Sequence, residues 1–137
     1  DSEEQRVSAI AVGLKNVAKQ LNAPVIALSQ LSREVDKRAD KLPILADLRY
    51  SGMLEQIADV VLFIMRPEYY LKRNMTCYLD ESLGPAAEGL QHPHGQNVAY
   101  ISVAKQRDGS VGMAPMHFTE RYTKFANLEM HRTEIDY

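Results

Sequence analysis

Three short strings in this sequence carry side chains able to do chemistry. The first is Ser29-Gln30, at the end of the apolar run Pro24-Val25-Ile26-Ala27-Leu28-Ser29. A carboxamide both donates and accepts hydrogen bonds, so Gln30 could orient a water or sense a phosphate, and ligands of open α/β sheets sit beyond the carboxyl ends of strands. A polar strand end that merely caps the next turn would look the same. The second string is Asp47-Leu48-Arg49-Tyr50-Ser51-Gly52, continuing to Glu55-Gln56. Gly52 permits another backbone or a phosphate to come close, and Arg49 could offer its charge or pair with Asp47 or Glu55. A structural helix cap would use the same residues. The third is Lys105-Gln106-Arg107-Asp108-Gly109. Strand alternation sends Lys105 and Arg107 to one side, where two cations at a sheet rim form an anion clamp or, more plainly, a solvated hairpin tip.

Two further groupings imitate sites. Thr76-Cys77-Tyr78-Leu79-Asp80-Glu81 has the apolar-then-acidic look of a magnesium-binding strand, yet no Gly-x-x-x-x-Gly-Lys-Ser/Thr loop occurs anywhere in the chain. Cys77, His92 and His94 lack the spacing of a closed four-ligand zinc site. No metal site is expected.

The elements that must position these residues follow from periodicity. Val7, Ile10, Ala11, Leu14, Val17, Ala18 and Leu21 form one helical stripe. Ser2 and Gln5 fit a capping box, and Asn22 with Pro24 stops the chain, so the spacing predicts a helix over 3–21. The run 24–29, apolar on both faces, reads as a central strand of a parallel sheet. The polar stretch 31–41 reads as a solvated, mobile loop. A short helix is expected over 45–58, interrupted by Gly52, followed by a buried strand over 60–65 and an irregular surface insertion over 67–97. Strands are expected over 97–104, 113–118 and 124–128, with Asp108-Gly109 as a turn. The expected class is therefore α/β, with a parallel central sheet, antiparallel edge strands at the C-terminal end, and one domain over 1–137.

Bulk properties narrow the function classes. The 137 residues suffice for one core, and 45% hydrophobic with 25% charged residues is ordinary for a globular chain. A net charge of −2 excludes a uniformly basic nucleic-acid glove, so any such contact must come from a local patch. One cysteine permits no internal disulfide and points to a reducing, cytoplasmic setting; no apolar run is long enough to span a membrane. The chain opens on Asp1, not Met, and is expected to be a piece of a longer polypeptide.

Taken together, the strings acquire a common meaning. Pro24 to Arg33, Ala46 to Gly52 with Glu55 to Phe63, Arg66 to Tyr70, Ala104 to Gly109 and Thr123 to Leu128 resemble, in order and spacing, the bacterial replicative helicase of the DnaB family. The likeness covers nearly the whole chain except about 71–97. It implies the downstream part of a RecA-like (P-loop NTPase) domain that assembles as a homo-hexamer around single-stranded DNA, uses ATP and Mg2+, and works with a primase and a helicase loader. By the same resemblance Gln30 matches the γ-phosphate sensor. Arg49 and Gly52 fall in a loop that touches DNA, as does Tyr50, where the family usually carries Glu; Arg33, in the Pro24 to Arg33 string, is a further DNA-binding candidate. Arg107 matches the arginine finger, accompanied by Lys105, and both would bind the nucleotide of a neighbouring subunit.

Two expectations follow. Without a phosphate loop the chain alone should neither hold ATP tightly nor hydrolyse it. The uncovered strand edge and helix faces should drive pairing with a second copy. The competing readings are a RecA-type recombinase or other ring ATPase, and a non-catalytic helicase paralogue that acts as a binding protein.

Overall fold

The helical spacing of the first residues is realised as α1, Glu3–Leu21, with both bonds of the Ser2/Gln5 capping box formed. Asn22 ends it in the left-handed conformation, φ 48 and ψ 45, and its backbone N–H satisfies carbonyls of the last turn. The computed structural model describes residues 2–38, 40–75 and 97–128. The Thr76–Glu81 string and the Cys77, His92 and His94 grouping lie outside those residues.

Beyond α1 the elements are α2 (Glu34–Lys37), a 3-10 turn (Leu45–Asp47), α3 (Ser51–Ile57), β1 (Val60–Met65), α4 (Pro67–Leu71), β2 (Val98–Gln106), β3 (Gly112–Thr119), a second 3-10 turn (Glu120–Tyr122) and β4 (Lys124–Asn127). The four strands form one sheet in the order β1-β2-β3-β4, every pair antiparallel. The β2–β3 hairpin turns through Asp108-Gly109. A Cβ on Gly109 would stand 2.6 Å from the Gln106 carboxamide, the free end of an exposed side chain that can swing aside, so packing does not demand this glycine.

Several expectations need correction. A parallel centre to the sheet is absent among the described residues. The run 24–29 is not a strand. Ile26 and Leu28 are 90% and 98% exposed, and among the described residues pairing begins only beyond the run, through an antiparallel bridge between Leu31 and Leu48. A strand apolar on both faces is specified by covering layers above and below, and the described residues offer this run none. The helix expected over 45–58 breaks at Tyr50, φ 62, rather than at Gly52. The stretch 31–41 is not a plain loop, for α2 buries Val35 within it. The insertion expected over 67–97 begins as helix α4, with Tyr70 buried.

Most buried side chains lie on one face of the sheet in two clusters, while Ala99 and Phe118 are buried on the opposite face. Met65, Tyr70, Val98 and Tyr100 form one, and Leu48, Val61 and Phe63 the other. β1 alternates strictly: Val61, Phe63 and Met65 are buried, while Val60, Leu62 and Ile64 are about half exposed. α1 buries only Ala11 and leaves Ile10 and Leu21 open. Val25, Ile26 and Leu28 are exposed as well.

Candidate functional site

The candidate residues gather at the two ends of α3, whose seven residues span about 10 Å at 1.5 Å per residue. At its N-terminal end, the Leu31–Leu48 bridge sets Gln30 on the Arg49 side and Ser32 on the Asp47 side. The Ser32 N–H accordingly donates to the Asp47 carbonyl at 2.7 Å. Gln30 is exposed, as is Arg33 at the head of α2. The Arg49 guanidinium lies 3.8 Å from the Glu3 carboxylate and 5.3 Å from the Tyr50 ring centre. It does not pair with Asp47 or Glu55. The Tyr50 hydroxyl donates to the same Glu3 carboxylate. That bond, above all, raises the tyrosine pKa, because ionising the phenol would set two anions together. A Cβ on Gly52 would meet nothing within 4 Å. Packing within the described chain therefore does not demand this glycine.

What holds this end in shape is a pair whose role the sequence did not disclose. Asp47 is 3% exposed and takes a fork of bonds from Arg38, Nη1 to Oδ1 and Nη2 to Oδ2, each 2.7 Å. The Ile44 N–H donates to Oδ2 at 2.8 Å, and Arg38 reaches the Leu42 carbonyl at 3.0 Å. The Arg38 bond holds the Asp47 carboxyl below its ordinary value, against the opposing effect of burial. Beside it the buried Lys41 gives its ammonium protons to the Asp36 and Arg38 carbonyls. The signal for the pair was an acidic residue immediately before an apolar position, with an arginine nine residues upstream; no local rule joins residues so separated.

At the C-terminal end of α3 stand the two cations of the third string. Lys105 Nζ donates to the Glu55 carbonyl, and Arg107 Nη2 to the Gln56 carbonyl at 3.1 Å. Both satisfy carbonyls that the last helical turn leaves without partners, where the helix dipole favours positive charge. The side on which Lys105 lies is decided by a register irregularity. Val61 opposes Lys105 but Leu62 opposes Val103, so Ala104 is an extra residue on β2. This bulge turns Lys105 to the face of Val61 and α3 instead of the face of Val103.

Arg107 continues past the strand, its N–H bonded to the Asp59 carbonyl at 2.9 Å and Nη1 3.0 Å from the Asp59 carboxylate. The other oxygen of that carboxylate accepts from Lys15 of α1. Lys15 foremost, with Arg107 and Lys105 adding their charges, lowers the Asp59 carboxyl from its ordinary value. α1 and α3 therefore run side by side in the same sense, Glu3 meeting Tyr50 at one end and Lys15 meeting Asp59 at the other. Neither Asp59 nor Lys15 stood out in the sequence, since their partner lies on another element.

The string Arg66 to Tyr70 is absorbed into packing. Arg66 stacks 4.1 Å from the Phe118 ring centre and bonds Glu120 at 3.1 Å, while Lys72 joins Glu120 to Glu68. Lys72 chiefly, and the Asn97 N–H next, lower the Glu68 carboxyl.

Comparison with known proteins shows the family. Residues 1–127 match the family described as DnaB-like helicase C terminal domain. The replicative DNA helicase DnaB of Rickettsia felis is 47% identical over 129 residues, covering 94% of this chain and 26% of that protein. The replicative DNA helicase DnaC of Bacillus subtilis is 42% identical, over 94% of this chain and 24% of that one. A solved DnaB-like replicative helicase, described with its interactions with primase, superposes with a TM-score of 0.74 at 42% identity, over 94% of this chain and 26% of that chain. A second solved structure, described as an ATPase domain, gives 0.72 at 40% identity, over 94% of this chain and 39% of that one. The chain thus spans about a quarter of the length of the curated relatives it matches.

Proposed function

The chain belongs to the family of DnaB-like helicase C-terminal domains, and from that membership we propose that it is the coupling segment of an ATP-driven replicative DNA helicase. In this reading Gln30 senses the γ-phosphate and relays nucleotide state, while Arg33, Arg49, Tyr50 and Gly52 face single-stranded DNA. Lys105 and Arg107 reach the ATP of a neighbouring subunit in a ring of six. The observation that carries the proposal is the placement of these two groups at opposite ends of one short helix, α3, so that a shift of either end is felt at the other.

The DNA-facing end offers an exposed guanidinium, an aromatic ring able to stack on a base, and a helix surface at Gly52 on which a phosphate backbone can lie without meeting a Cβ. The nucleotide-facing end offers a guanidinium just past a strand, held by a carbonyl and an exposed carboxylate that it can exchange for phosphate oxygens. ATP with Mg2+ supplies the transferable phosphoryl group when bound. Arg107 contributes positive charge where negative charge accumulates as the bond to that group breaks, and makes the step depend on a correctly docked neighbour. In the complete RecA-like domain the run 24–29 takes its place as a parallel strand, which accounts for the exposed Ile26 and Leu28. Primase and a helicase loader are the expected partners, the former a partner of the solved helicase described above.

The test is Arg107→Ala in the ring-forming protein that carries this segment. Hydrolysis should fall by roughly a thousandfold or more, with nucleotide binding retained. Turnover within a few-fold of the unaltered protein would refute the assignment. The 137-residue chain by itself, without a phosphate loop, should show no ATP turnover. Magnesium-dependent hydrolysis that disappears with Arg107→Ala would overturn that expectation.

A further inference from the structure

We propose that Asp59 is an internal stand-in for phosphate, holding Arg107 and Lys15 until a neighbour's nucleotide displaces it, and that Lys15 is a third cation of that polyphosphate site. The inference deepens the trans-acting role given to Arg107 above and rests on it.

The geometry begins with one carboxylate serving two elements. Asp59 takes Lys15 of α1 on one oxygen and Arg107, just past β2, on the other. Its side chain remains 53% exposed, against 27% for Lys15 and 48% for Arg107. Both ion pairs therefore stand at the surface, where exchange of one anion for another is cheap. Lys105 is close enough to add its charge to the same carboxylate, so three cations converge on a single anion. A lone carboxylate leaves such a group with surplus positive charge and unused donors. A di- or triphosphate carries more charge and more acceptor oxygens, and fits it better.

Space for the exchange exists. An open cavity of about 370 Å³ lies against Asp59 and is lined by Lys15, Lys19, Asn22 and Pro24. It adds a fourth cation, Lys19, one helical turn beyond Lys15 on the same face of α1. Lys15 and Lys19 line this space directly, whereas Arg107 does not line it and is joined to it through its 3.0 Å pairing with Asp59. The Asp59 backbone carbonyl keeps its bond to the Arg107 N–H at 2.9 Å. The guanidinium can thus change partners while the main chain stays in place.

Pyrophosphate titrated into the 137-residue chain, followed by isothermal titration calorimetry in every variant and through the Nε–H resonance wherever Arg107 is kept, tests this directly. Asp59→Asn should tighten pyrophosphate binding by roughly five- to tenfold, the size of one like charge removed at contact distance in a wet site. Lys15→Met should weaken it by a similar factor, and Arg107→Gln should abolish the response at the cluster. Circular dichroism and the spread of backbone resonances verify that each variant remains folded. Weaker or unchanged binding by Asp59→Asn would overturn the proposal, as would a titration indifferent to Lys15, or anion binding scattered over other cations. These outcomes are separable from failure of the finger itself, which is read as unimpaired hydrolysis by Arg107→Ala in the assembled ring.

Discussion

Asp47→Asn removes one formal charge and almost no volume, so its effect isolates the electrostatics of the Arg38 fork. In the native chain two charge-assisted bonds of 2.7 Å enter a carboxylate only 3% exposed. Each such bond contributes about 1.5–3 kcal/mol. The amide keeps one acceptor for Arg38 or for the Ile44 N–H, but turns its NH2 toward the guanidinium, donor against donor. Arg38 is one-third exposed and regains part of its hydration, which discounts the loss. The net cost is about 2–3 kcal/mol, a large part of the ~5–15 kcal/mol that holds an ordinary domain together. At about 3–5 °C per kcal/mol for a chain of this size, melting should fall by about 10 °C, read by circular dichroism at pH 7. The sign of the pH dependence follows from the lowered Asp47 carboxyl. Its contribution is complete above the unfolded value near 3.9, and is lost as pH falls through the lower folded value. The difference between the native chain and Asp47→Asn should therefore close below about pH 4. A variant within about 0.5 kcal/mol of the native chain at pH 7, or a gap unchanged in acid, would refute the reasoning.

Gly52→Ala should leave folding intact or improve it by about 0.5–1 kcal/mol, because the added Cβ meets nothing in the chain. Single-stranded DNA affinity, measured by fluorescence anisotropy in the ring-forming protein, should nevertheless fall several-fold; unchanged affinity would remove Gly52 from the DNA-facing surface. Lys105→Met should cost about 0.5–1 kcal/mol by loosening the end of α3, and should lower ATP turnover far more than this stability loss explains. Ser2→Ala breaks the capping box of α1 and should cost about 1 kcal/mol in urea unfolding, with helical signal lost from the first turn.

Local rules account for much of what could be foreseen. The capping pair Ser2 and Gln5, the stripe over 7–21 and the left-handed stop at Asn22 involve residues a few positions apart, and α1 obeys them at both ends. The strands 60–65, 98–106, 112–119 and 124–127 likewise follow from β-forming runs and the Asp108-Gly109 turn, each within a residue or two of expectation. The strings carrying Gln30, Arg49, Gly52, Lys105 and Arg107 could be picked out because their residue types and order are specific. Their family was legible for the same reason.

Tertiary structure decided what those residues touch. Whether Arg49 meets Asp47 or Glu3, whether Asp47 meets Arg49 or Arg38, and whether Asp59 gathers Lys15 and Arg107 depend on how α1, α3 and the end of β2 come together. Such long-range pairings carry no periodicity in the sequence. The side reached by Lys105 turned on a single bulge at Ala104, which shifts the alternation by one residue. The run 24–29 shows the converse. Its composition demands a covered central strand, but a strand exists only where neighbours bond its edges and layers cover its faces, and the described chain supplies it with neither.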